Sequence, residues 1–177
     1  GNGVHPGYGF EKLINASTAM AAFLRKLPPD ELPETTRDRQ GFFYVHECSG
    51  GCETAKLAIL LRDFDRQVVE DRADRVRAWA AEVQAEIPGL VVEVTIKDQY
   101  PNMIEYFAGH EKVLDLACRA TEAVGLTVID KPIRGGTVGS QLSAVGHPCP
   151  NLGAGGMLFH SLREWVPVQG MARVTLL

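Results

Sequence analysis

"RDFDRQVVEDRADRVRAWAAEVQAEIPG", residues 62–89, carries the clearest periodicity in the chain. Val69, Ala73, Val76, Ala80, Val83 and Ile87 follow one another at spacings of 4, 3, 4, 3 and 4. That spacing puts all six on one face of an α-helix. Asp65 stands where an N-cap belongs, and Pro88-Gly89 stops the run. Arg and Glu fill the opposite face, which reads as solvated surface.

Outward from this helix the pattern changes period. On its N-terminal side, "FFYVHEC" (42–48) and "TAKLAILLRDF" (54–64) read as two strands joined through "SGG", a hairpin. On its C-terminal side, "LVVEVTIKD" (90–98) alternates, with Val92, Val94 and Ile96 on one side and Glu93, Thr95 and Lys97 on the other. Further out, Leu13, Ala16, Met20, Phe23 and Leu27 share a helical face within 11–27, which Pro28 and Pro29 terminate. Residues 28–41 are polar and proline-rich, a surface loop. The order is short strand, helix, strand, strand, helix, strand. It predicts an α+β protein that begins with a ferredoxin-like βαββαβ domain over residues 1–103. An open sheet edge in such a domain is commonly covered by a second copy.

Residues 104–177 have a different character. A helix is expected over 110–124, with Val113, Ala117, Ala120 and Val124 inward and Gly125 at its end. "LTVID" (126–130) reads as a short strand. Glycine-rich loops at 134–139 and 153–156 flank a short helix at 140–146, and "VQGMARVTLL" begins another. Few elements and many loops make this an incomplete α/β segment.

The totals narrow the functional classes. The chain has 177 residues, is 45% hydrophobic and carries a formal net charge of -4. A nucleic-acid surface would be basic and clustered. No apolar run approaches the roughly 18 residues of a membrane span. Cys48-x3-Cys52 lacks the spacing of a zinc knuckle, and Cys118 and Cys149 do not complete a second pair. Cys48 and Cys52 read as reduced thiols beside a turn, which suits the cytoplasm. "GNGVHPGYGF" at the N-terminus reads as the cut edge of a longer chain.

Chemistry concentrates in "KPIRGGTVGSQLS" (131–143), where Arg134 precedes Gly135, Gly136 and Gly139. The P-loop pattern fails for want of its lysine, and the dinucleotide fingerprint fails as well. Arg134 offers a planar fork that suits a carboxylate, and a helix beginning near Ser140 would add backbone donors. A close-packed turn with a surface arginine is the competing reading, and spacing alone leaves both open. His160, in "GGMLFHSLREW", is either a structural histidine or a metal ligand facing a cleft, and no partner at ligand spacing accompanies it. His5, His46, His110 and His147 form no motif.

Taken in order, "GNGVHPG", "LLRDFDR", "DQYPNM", "KPIRGGTVGSQLS", "GHPCPN" and "GGMLFHSLREWV" resemble the C-terminal stretch of the peptidase T family. These are zinc aminotripeptidases within the larger group of two-zinc exopeptidases. The resemblance covers essentially the whole chain. It implies a ferredoxin-like lid, or dimerisation, domain followed by the C-terminal part of a catalytic α/β domain. It implies a short peptide substrate, two zinc ions in the full-length enzyme and a homodimer through the lid. It implies neither nucleic acid nor membrane as partner. His5 would stabilise an oxyanion in the partner's active site. Arg134 would hold the peptide carboxylate, and Asn102 would contact substrate. Gly135 and Gly136 would bring backbone to substrate, and His160 would be one zinc ligand.

The family's His-x-Asp pair, bridging Asp, Glu-Glu pair and further acid are not in this sequence. The chain by itself is therefore expected neither to bind zinc tightly nor to cleave peptides. Val138 replaces the Asp of the family's "GGTDG". Leu158 and Ser161 replace the Asn and Gly of "TGGxNxHG". These departures leave an alternative, a dimerising interaction module of a catalytically degenerate homologue.

Overall fold

A computed structural model describes all of residues 1–177. The chain divides into two compact units, Gly1–Asp98 and Gln99–Leu177.

In the first unit, helix α1 spans Ala16–Leu24. It starts later than the periodicity predicts, because the Asn15 carboxamide takes the N–H groups of Ser17 and Thr18 and fixes the N-terminus there. Strands β1 (Phe42–Gly50) and β2 (Ala55–Arg62) pair antiparallel, with Phe42 opposite Arg62 and Gly50 opposite Ala55. The register slips between Val45 and Glu47, so His46 sits at a β-bulge. Helix α2 covers Arg66–Glu86, and the Asp65 carboxylate accepts from Gln67 N–H at 2.8 Å, as its sequence position predicts.

The core of this unit joins Ala19 and Phe23 of α1, Phe43 of β1, Val76, Ala80 and Val83 of α2, and Leu90. Phe43 is fully enclosed, and Trp79 crosses it at 5.3 Å between ring centroids. Burial of an aromatic side chain of this size stabilises by about 1.5–3 kcal/mol.

The predicted sheet is only partly formed. It contains two strands, β1 and β2. Residues 90–98 run without a strand ladder. Val92 packs against the core, but its N–H donates to the Gln84 side chain at 2.7 Å rather than to a neighbouring strand. Near the N-terminus the expected strand is reduced to one antiparallel bridge between Asn2 and Ile14. The α+β class stands; of the four strands expected, the two of the hairpin form a sheet.

The second unit holds helices α3 (Glu111–Ala123), α4 (Val138–Ala144) and α5 (Val168–Leu176). The α3 face of Val113, Ala117 and Ala120 is half-buried. Its end is a Schellman turn, with Leu126 N–H on Thr121 O at 3.1 Å and Gly125 at φ 73°. "LTVID" makes no strand, having no neighbour to pair with, and Ile129 is 68% exposed. The buried side chains of this unit are few: Phe107, Ser140 and Ser143.

Candidate functional site

The sequence-predicted residues fall into three places. His5 belongs to the first unit. Asn102, Arg134, Gly135 and Gly136 belong to the second, on two segments that meet where Tyr100 lies against Gly136. His160 occupies a separate turn of the second.

His5 caps the 3-10 turn Pro6–Tyr8. Its Nδ1 accepts the Gly7 N–H at 3.2 Å. A ring nitrogen that accepts carries no proton, so the neutral imidazole holds its proton on Nε2, which becomes a donor. The ring is exposed, tilts against Tyr8 at 5.3 Å, and borders an open groove of about 780 Å³ with Val4, Asn15, Cys52 and Glu53. A ring N–H at the rim of a groove can donate a hydrogen bond to a group bound there.

The second cluster is assembled from two segments distant in sequence. Asn102 caps the 3-10 turn Met103–Tyr106, its carboxamide oxygen accepting from Ile104 N–H at 3.3 Å. The loop carrying Arg134 leads into α4, which packs against that same 3-10 turn. Asn151 adds a contact from the "GHPCPN" segment, its Nδ2 reaching Met103 Sδ at 3.7 Å. Arg134 and Asn102 are both half-buried. A guanidinium fork and a carboxamide on adjoining segments can together grip one carboxylate and a neighbouring amide.

Helix α4 begins at Val138, two residues before the predicted start. Ser140 N–H is already used by Thr137 O at 3.0 Å, so helix-end donors at this terminus would be those of Val138 and Gly139. What holds α4 is Ser143, which is 2% exposed. Its hydroxyl donates to Gly139 O at 2.7 Å and accepts from Cys149 N–H at 3.1 Å. Gly139 lies so close to this segment that an added Cβ would stand 2.7 Å from Cys149 O. Sequence reading passed over Ser143 and Tyr100; the signal was their place inside motifs already singled out for other residues.

His160 is exposed on a turn closed by a bridge between Met157 and Trp165. Leu158 and His160 both have positive φ, 57° and 66°. The His160 N–H donates to Glu164 Oε2 at 2.8 Å, which holds that unusual backbone. No group of three or more His, Cys, Asp or Glu side chains is placed to hold a metal ion. No chemical step through zinc is derived from the geometry of this chain. No helix is long and apolar enough to cross a membrane.

Comparison with known proteins gives the resemblance a measure. No family model matches the chain. Peptidase T of Serratia proteamaculans is 42% identical over 172 residues, which is 97% of this chain and 42% of that protein. Peptidase T of Lysinibacillus sphaericus is 39% identical over 175 residues, 99% of this chain and 43% of that protein. The chain thus spans about two fifths of the length of the curated relatives it matches. The crystal structure of aminopeptidase PepT from Bacillus cereus superimposes with a TM-score of 0.68 over 98% of this chain and 46% of that one, at 23% sequence identity, a likeness of fold.

Proposed function

We propose, for a chain that belongs with the peptidase T sequences along nearly all of its length, that it supplies the lid and the substrate-carboxylate half of a zinc-dependent aminotripeptidase. The observation that carries this reading is the 42% identity over 97% of the chain. The packing of the Tyr100 ring on Gly136 is consistent with it, because it brings the segment that carries Asn102 against the loop that carries Arg134.

On this reading the first unit, with its hairpin and two helices, is a ferredoxin-like lid and dimerisation domain. His5 presents Nε2–H to the oxyanion formed in the partner's site. In the second unit Arg134 binds the C-terminal carboxylate of a short peptide as a bidentate fork, and Asn102 fixes the adjoining amide. His160 donates one imidazole to zinc, with the remaining ligands drawn from sequence outside these 177 residues. When bound, zinc polarises the scissile carbonyl and activates water. The chain by itself then binds zinc weakly and does not cleave peptides. Nothing in this chemistry calls for a compartment other than the cytoplasm.

The second reading, a dimerising module of a degenerate homologue, is favoured by Val138. It stands at the first position of α4, 64% exposed, where the family pattern has an Asp. One experiment separates the two. The product of the complete reading frame is assayed for zinc-dependent release of N-terminal residues from tripeptides. Cleavage that chelation abolishes supports the enzyme. A zinc-replete, dimeric but inactive product sinks the enzyme reading and leaves the module.

A further inference from the structure

The two glycines after Arg134 are not equivalent. A Cβ built on Gly135 meets nothing within 4 Å. A Cβ built on Gly136 would fall inside the ring of Tyr100 and 2.6 Å from the Tyr100 Cβ. Gly136 has no side chain because an aromatic ring occupies that space. The ring belongs to the residue two before Asn102, so one contact ties the Asn102 segment to the Arg134 loop. Tyr100 is half-buried, as is Gly136, so the contact is partly enclosed.

We infer that Tyr100 is a positioning residue for the Arg134 loop: its ring, seated on the Gly136 backbone, sets the distance between the Arg134 guanidinium and the Asn102 carboxamide. This inference rests on the carboxylate reading above and changes one part of it. Gly136 makes room for Tyr100 rather than for substrate. The physical reason is stiffness. A loop with two adjacent glycines is conformationally loose, and an unanchored arginine fork loses most of its bidentate advantage. A flat ring packed on peptide backbone removes that freedom without adding a charge that would compete for the carboxylate.

Two measurements test it. The first uses thermal melts of the 177-residue chain. Gly136→Ala lowers the melting temperature, Gly135→Ala leaves it unchanged, and Gly136→Ala added to Tyr100→Ala costs little beyond Tyr100→Ala alone, because the obstructing ring is gone. An equal loss from Gly136→Ala in both backgrounds overturns the contact. The second uses the product of the complete reading frame, with trialanine and its C-terminal amide as substrates. The parent prefers the free carboxylate by about tenfold or more, as a charged hydrogen-bonded pair implies. Tyr100→Ala reduces that preference to near unity through KM, and Tyr100→Phe keeps it. A Tyr100→Ala variant that retains the preference overturns the positioning role while the carboxylate reading stands. A parent with no preference overturns the carboxylate reading, and this inference with it.

Discussion

Glu31 Oε1 accepts a hydrogen bond from Arg75 Nη2 at 2.7 Å, tying the proline-rich loop to α2 across 44 residues of sequence. Arg72 joins the same carboxylate, and both guanidinium groups lie over Phe43, at 4.8 and 5.0 Å from its centroid. The Arg75 hydrogen bonds foremost, with the single one from Arg72 and against the opposing effect of burial, hold the Glu31 carboxyl below its ordinary value of 4.5. A carboxyl lowered in the folded state stabilises fully above its unfolded pKa. That stabilisation is lost as pH falls through the folded value. Stability of the first unit therefore declines below about pH 4.5, and Glu31→Gln flattens that part of the profile. At neutral pH the substitution costs about 1 kcal/mol, held down because Arg75 is partly exposed. Chemical denaturation from pH 3 to 7 measures both. A Glu31→Gln profile parallel to the parent's contradicts the assignment.

Ser143 is the second prediction. Its hydroxyl satisfies Gly139 O and Cys149 N–H in an enclosed position. Ser143→Ala leaves both groups without that partner and lowers stability of the second unit by about 1–3 kcal/mol. Hydrogen exchange at the Cys149 amide reports the change directly. Unaltered protection there rules the bond out.

Leu158 is held at φ 57°, where a branched apolar side chain is strained and Asn or Gly is not. Leu158→Asn is expected to raise stability by about 1 kcal/mol, and Leu158→Gly by less, because glycine frees the unfolded chain. Melting curves of the two variants decide it. A loss of stability with Asn means that the turn adopts another backbone in solution.

The first unit was legible where one period runs long enough. Six apolar residues at helical spacing, a capping Asp65 and a Pro88-Gly89 stop specified α2, and the hairpin followed from two apolar runs around "SGG". Alternation in 90–98 was a weaker guide. It names the face a strand would bury, yet a strand exists only with a partner for its backbone, and Val92 N–H found Gln84 instead. Long-range pairs such as Glu31 with Arg75 leave no periodic trace. Motif order singled out Arg134 and Asn102 separately. That Tyr100 lies where a Gly136 side chain would stand depends on packing between segments that no local pattern connects.

An Arg134 that clamps a peptide carboxylate must distinguish a peptide acid from its amide. Arg134→Met is made in the product of the complete reading frame, and KM is measured for trialanine and for its C-terminal amide. With the clamp removed, KM for trialanine rises by about tenfold to a hundredfold, with kcat changed far less and the amide nearly unaffected. Equal changes for acid and amide, or none for either, would contradict it.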